Sequence, residues 1–261
     1  MQHAQLFAGS GTSARLSYYA PGASMAAHHH EVHQFSCLLI GEFLEAHAGH
    51  EREIGQPSVG VKPAGLEHYN QYGPNGALIL SINLEPSRMD EYLPGCSTDW
   101  RWQAGVMAGR ERRSVLALSS LPRGSQAEAE TRICDLLAVM TPERDRPASA
   151  SPGAAVPGWL ARVRDALRES ETSPDLQRLA DEAGVHRVHL SRVFAREFGV
   201  PPSLYRRRCR LARAIADMLQ GATLADAAHS AGFADQSHFS RFAKTETGYS
   251  PNRLKTLLAA A

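Results

Sequence analysis

The chain has 261 residues, 43% hydrophobic and 21% charged, with a formal net charge of +1. That length suits two domains better than one, and the composition excludes a fibrous or largely disordered chain. The longest uncharged, mainly apolar run, Ala77 to Leu84, falls far short of the roughly 18 residues that cross a bilayer, so no membrane partner is expected.

In chain order, no basic segment followed by an apolar run opens the sequence, so a secretory signal is not expected. From Phe35 to Leu84 the short runs FSCLLI, SVGV and ALILSINL are punctuated by Gly41, Gly49, Gly55–Pro57 and Gly73–Gly76. Runs that short between turn residues predict strands of an antiparallel, barrel-like sheet. Residues 86–125 carry no clear period. From Gln126, AEAETRICDLLAVM spaces Ile133, Leu136, Leu137 and Met140 for a helix that either packs on its own barrel or forms a homodimer contact. Arg146 to Gly158, RPASASPGAAVPG, has no periodic apolar positions and reads as a linker. Domain bounds of 1–145 and 159–261 follow, with the linker at 146–158 and the second domain carrying its own caps and apolar stripes.

After the linker every pattern is helical. Trp159 to Glu171 places Leu160, Val163 and Leu167 on one stripe. Ser173–Pro174 then supplies a cap and a first-turn proline for a helix through Leu176, Leu179 and Ala180. Gly184 ends that helix, and His186 to Phe198 forms the next. A longer helix runs from Pro201–Pro202 to near Gly221, and the short–Gly–long pattern recurs as Thr223–Ala231, Gly232, Asp235–Thr247 and Gly248. The fold class expected is α+β: an antiparallel β-barrel followed by helices, then an all-α domain with two helix-turn-helix motifs. Charge divides along the same line. Residues 158–261 hold 16 Lys/Arg against 11 Asp/Glu, and the rest of the chain holds 12 against 16. A basic half joined to an acidic half suggests a nucleic-acid binder with a second module.

In the helix 186–198, Leu190, Val193, Phe194 and Phe198 fall on the inner side, leaving Val188, Ser191 and Arg192 outside. The second copy repeats this, with Phe239 and Phe242 inward and Gln236, Ser237, His238, Ser240 and Arg241 outward, Asp235 serving as N-cap. Arg can grip guanine, Gln can pair with adenine, and Val188 can touch a thymine methyl. The strings L-S-R-x-F, R-x-x-R-L-x-x-A, G-F-x-D-Q-S-H-F-S-R-x-F and G-Y-S-P between about Trp159 and Leu258 resemble the DNA-binding domain of the AraC/XylS family of transcription regulators. The resemblance implies a pair of heads reading the major groove of double-stranded DNA, one helical turn apart, through those eight residues. It also implies an activator that works with RNA polymerase in the cytoplasm. Arg206, Arg207, Arg208 and Arg210 form a basic run that either touches phosphate or lies on a solvated or salt-bridged face.

Gly22, His28, His30, Gln34 and Gly41 reproduce G-x5-H-x-H-x3-E-x6-G with Gln for Glu, and Pro63, Gly65 and His68 give P-x-G-x2-H. These resemble the two motifs of the cupin family, with Tyr72 where the closing Asn belongs and Asn70 two positions earlier. The resemblance implies that His28, His30, Gln34 and His68 converge inside the barrel. There they hold one divalent transition metal (zinc, nickel, copper or iron) or line a pocket for a small-molecule effector. Scattered Cys37, Cys96, Cys134 and Cys209, with no C-x-x-C pair, add neither a disulfide frame nor a thiolate zinc site. No phosphate loop, nucleophile elbow or H-E-x-x-H helix is present. The function expected is therefore a DNA-binding regulator and not an enzyme, the alternative being a cupin dioxygenase or isomerase fused to a DNA reader.

Overall fold

The computed structural model describes residues 1–55, 58–93, 96–104, 126–140, 156–169 and 176–259. The strands are β1 (Gln2–Gly9), β2 (Thr12–Tyr19), β3 (Ser24–His28), β4 (His33–His47), β5 (His50–Gly55), β6 (Ser58–Lys62), β7 (His68–Leu84) and β8 (Arg101–Ala104). All pair antiparallel, in the order β1-β2-β7-β4-β6-β8, with β3 beside β7 and β5 beside β4. β4 and β7 are long because each serves both ends of the barrel. Residues 34–38 of β4 pair with β6, and residues 42–47 pair with β5. The register slips between Leu38 and Phe43, where Gly41 sits at φ +90° with Gly76 O only 1.9 Å from where a Cβ would stand. Any side chain there would prevent the two long strands from bending together.

Strand alternation makes this sheet two-faced. One face aligns Ser13–Asn83–Gln34–Lys62 and Arg15–Ser81–Ser36–Gly60 across β2, β7, β4 and β6, and these polar rows face the barrel lumen. The other face carries Ala14, Leu16, Phe35, Cys37, Val59, Val61, Leu80 and Ile82, all buried.

The helices are α1 (Gln126–Met140), α2 (Gly158–Glu169), α3 (Leu176–Glu182), α4 (Arg187–Phe198), α5 (Pro202–Leu219), α6 (Leu224–Ser230), α7 (Gln236–Thr247) and α8 (Pro251–Ala259). α1 covers part of the outer face with Ile133, Leu136 and Leu137, each fully buried. The rest is covered by the second helix-turn-helix unit. α5 lies against β4 and β7, α7 against β4, and α8 against β1. Leu211, Ile215, Phe239, Leu254 and Leu258 thereby join the strands in one continuous apolar cluster. The first unit builds a separate cluster from Leu160, Val163, Leu167, Leu179, Leu190, Phe194 and Tyr205. The expectation that residues from 159 onward carry a self-contained core holds for this first unit only, because the outer face of the sheet is too apolar to be left in water. The Ser173–Pro174 cap and residues 146–155 of the linker lie outside the described residues.

Candidate DNA-reading helices and barrel lumen

Each reading helix has a side-chain cap. His186 Nδ1 accepts from Val188 N at 3.2 Å, and Asp235 Oδ1 accepts from His238 N at 2.6 Å. Gly199 and Gly248 end the two helices in the left-handed conformation. Val188, Arg192, Gln236, Ser237 and Arg241 are exposed, while Ser191, His238 and Ser240 are half-buried. Val188 is 45% exposed, unusual for a β-branched apolar side chain on a helix. His238 stacks edge-on against Phe233 at 5.3 Å. The basic run on α5 proves mostly structural. Arg208 is buried in an ion pair with Glu246 at 2.7 Å, Arg207 lies over the Phe242 ring at 5.1 Å, and Arg210 donates to Gly232 O at 3.2 Å.

The two histidine motifs meet in the lumen. Gly65 N donates to His30 O at 2.8 Å, Ala64 N donates to His33 Nδ1 at 3.2 Å, and His28 pairs in register with His68. One ring nitrogen from each of His28, His30 and His68 lies within 4.8 Å of the others. Since a carbonyl can only accept, Nδ1 of His28 carries its proton toward Ala26 O at 2.8 Å, and Nδ1 of His68 toward Leu66 O at 3.0 Å. Both rings therefore present the Nε2 lone pair, the arrangement that metal-binding histidines also use. Gln34 is engaged elsewhere, donating to Asn83 Oδ1 at 3.2 Å and accepting from the Ser36 hydroxyl at 3.4 Å.

Two buried groups that the sequence analysis did not single out govern this cluster. Glu45 is fully buried and accepts from Lys62 Nζ (3.0 Å), Asn70 Nδ2 (3.0 Å), Trp100 Nε1 (2.7 Å) and Trp102 Nε1 (2.6 Å). Burial raises its pKa, but Lys62 and the three neutral donors outweigh burial and hold it at about 2. Trp102 reaches Glu45 by lying flat over Gly60, where a Cβ would come within 2.4 Å of the indole. Lys62 also donates to His68 Nε2 at 3.4 Å, the atom that would have to bind a metal. Burial first, then the Lys62 charge, pushes both His30 and His68 down to about 4, so both are neutral near pH 7. Lys62 had a signal in the sequence, as a charged residue that closes the short apolar run SVGV.

The donor set alone would suit zinc or nickel, but the charges around it do not. Two unit charges about 4 Å apart repel by roughly 4 kcal/mol at an effective dielectric of about 20, and a divalent ion doubles that. Glu45 is the ion-pair partner of Lys62, so its charge is taken up by that lysine and none is left over for a metal. Arg15 adds a second cation, whose Nε is buried without a hydrogen-bond partner. A divalent ion does not fit beside Lys62 and Arg15.

Residues 179–256 match the family model described as a helix-turn-helix domain. The carboxy-terminal helices are a helix-turn-helix domain. The match bears out the helix-turn-helix reading of this half, which follows the antiparallel sheet in the chain. Among solved structures, ToxT from Vibrio cholerae is 12% identical, covering 95% of this chain and 99% of that one at a TM-score of 0.39. Unsaturated fatty acid-bound wild-type ToxT from the same organism is 12% identical, covering 97% and 98% at 0.37. A cupin superfamily protein from Desulfitobacterium hafniense is 18% identical, covering 32% of this chain and 75% of that one at 0.30. No curated protein matches the chain. Among the described residues no helix is long and apolar enough to cross a membrane.

Proposed function

We propose that this protein is a transcription regulator that reads DNA through α4 and α7 under the control of a molecule bound in the barrel lumen. The observation that carries the reading is the pair of capped helices within one helix-turn-helix domain, each offering an exposed arginine, Arg192 and Arg241. Val188, Ser191 and Arg192 would read one half-site, and Gln236, Ser237, His238, Ser240 and Arg241 the other. Fixed spacing between two such helices sets the half-site separation near one helical turn, about 34 Å. The lumen is the sensing site because the strands that line it carry the second unit on their opposite face. Arg15, Ser36 and Ser81 alternate with Leu16, Cys37 and Leu80, so a ligand lies one strand's thickness from the domain it would control. The resemblance adds RNA polymerase and a second copy of the chain as partners, and activation as the output.

Selection of binding sites from random duplex DNA by the full-length protein tests the reading. Two short conserved blocks about one turn apart are expected, with one block relaxed in Arg192→Ala and the other in Arg241→Ala. Enrichment of no motif would overturn it.

A further inference from the structure

We propose that the barrel lumen binds a short-chain hydroxycarboxylic acid, its carboxylate taken by Arg15 and Lys62 and its hydroxyl by the His28 imidazole. The proposal rests on the reading of the lumen as the sensing site and adds the chemical class of the ligand.

Three features of the cavity lead there. The first is charge. Among the described residues lining it, Arg15 and Lys62 are cations and none is a carboxylate. Lys62 is balanced by Glu45 behind it, whereas Arg15 lines the cavity with no carboxylate partner among the described residues. A planar, two-oxygen anion is the group a guanidinium holds best. An anion of one charge satisfies Arg15, whereas a metal ion would add charge of the same sign.

The second feature is the direction of the hydrogen bonds. Nδ1 of His28 donates to Ala26 O, so the neutral ring offers its Nε2 lone pair to the cavity, which a hydroxyl proton matches and a carboxylate oxygen does not. A hydroxyl donates, and so completes that imidazole. Lys62, already spanning Glu45 and His68 with two of its three protons, has one left for the second carboxylate oxygen. The third feature is size. The cavity measures about 110 Å³, where about 10–15 Å³ is enough to admit one water, so it takes a small polar acid and not a long acyl chain.

The test is calorimetric titration of the full-length protein with lactate (against lactamide and propionate), glycerate (against glycerol) and 3-hydroxybutyrate (against its amide and butyrate), and with zinc and nickel chlorides alone. Saturable binding of at least one hydroxy acid is expected. Its amide or alcohol counterpart should bind at least tenfold more weakly. Arg15→Gln, with an unchanged urea midpoint as the check on its folding, should weaken the acid tenfold or more. His28→Ala should instead erase the preference of lactate over propionate while retaining both. Stoichiometric zinc or nickel binding that survives dialysis, or no binding by any of the three acids, overturns the proposal. The DNA selection above separates the two levels: a selected motif with no acid binding leaves the regulator standing and removes only the ligand class.

Discussion

The two helix-turn-helix units share one pattern of short helix, glycine turn and reading helix, yet they are held in place by different forces. The second unit (α6–α7, with most of α5 and α8) buries its apolar side chains directly on the outer face of β2, β4 and β7. The first (α2–α4) closes on the start of α5, through Tyr205 and Cys209, and meets the barrel directly through polar contacts. Arg164 pairs with Glu53, and Arg168 Nη1 pairs with Glu42 Oε1 at 3.0 Å. These pairs flank a cavity of about 580 Å³ between the barrel and α2, α4 and α5. Each fully buried Leu, Ile or Phe contributes roughly 1.5–3 kcal/mol, whereas a partly exposed ion pair is worth about 0–1 kcal/mol. The second unit is therefore part of the barrel's own core, whereas the first is joined to that core through α5 and touches the barrel itself by polar pairs alone among the described contacts.

The largest effects should come from removing one aromatic side chain from each unit. Phe239 and Phe194 are both fully buried, and truncation of either to Ala is expected to cost about 3–5 kcal/mol. The consequences should differ in extent. Trp100 and Trp102 report the barrel and Trp159 reports α2, so Trp159→Phe and its complement separate the two signals in urea melts. Phe239→Ala should lower the barrel transition, and Phe194→Ala should lower the Trp159 transition alone. Equal shifts of the barrel signal in both variants would break the contrast.

Next comes the buried pair between α5 and α7. Arg208→Met leaves Glu246 charged and dry, at an expected cost of about 3–5 kcal/mol, while Arg208→Met with Glu246→Leu should recover most of it. A double variant no more stable than the single would mean that the pair is not the cause.

Much of this contrast was legible in the sequence, and the part that was not has a physical reason. Helix bounds followed from capping groups and glycines: the predicted 186–198 and 235–247 helices are α4 and α7 with His186 and Asp235 as caps. The histidine cluster followed from strand alternation within a motif. β1 and β2 carry alternation too, in TSARLSYY, but without flanking apolar runs it gave no strand prediction. β8 is four residues long and is held by register with β6 and by the indole of Trp102. Long-range pairing also decided the Glu45–Lys62–Asn70 network, whose members lie up to 25 residues apart. No local period could have shown that Leu211 to Leu258 would share a core with Leu16 and Leu80.

Smaller effects are expected at the DNA-facing surface, where packing plays no part. Arg192→Ala and Arg241→Ala should each weaken operator binding by about 1–3 kcal/mol while leaving urea midpoints unchanged, the range for loss of a bidentate guanine contact. Binding to random DNA should fall much less. Equal losses on specific and random duplexes would make these arginines phosphate contacts and reduce the salt slope accordingly.

The smallest effect on stability is also the sharpest test of the contrast between units. Glu53 is largely exposed and Glu42 partly so, so Glu42→Gln with Glu53→Gln should cost less than about 2 kcal/mol in total. Since 1.4 kcal/mol is tenfold in an equilibrium constant, the equilibrium between the made and broken polar contact should change by roughly thirtyfold at most. That is invisible in a melt of the barrel but visible in geometry. The distance distribution between labels at Arg162 on α2 and His50 on β5 should broaden toward longer values in the double variant. In the wild type, high salt should do the same, because exposed ion pairs are screened. A label pair bridging β2 and α8 should not move under either condition, since burial of apolar surface is not weakened by salt. If the α2 distances stay fixed in both the variant and high salt, the first unit is held by something other than these carboxylates. The two reading heads would then be equally fixed on the barrel, and a ligand in the lumen would have to act by moving both together.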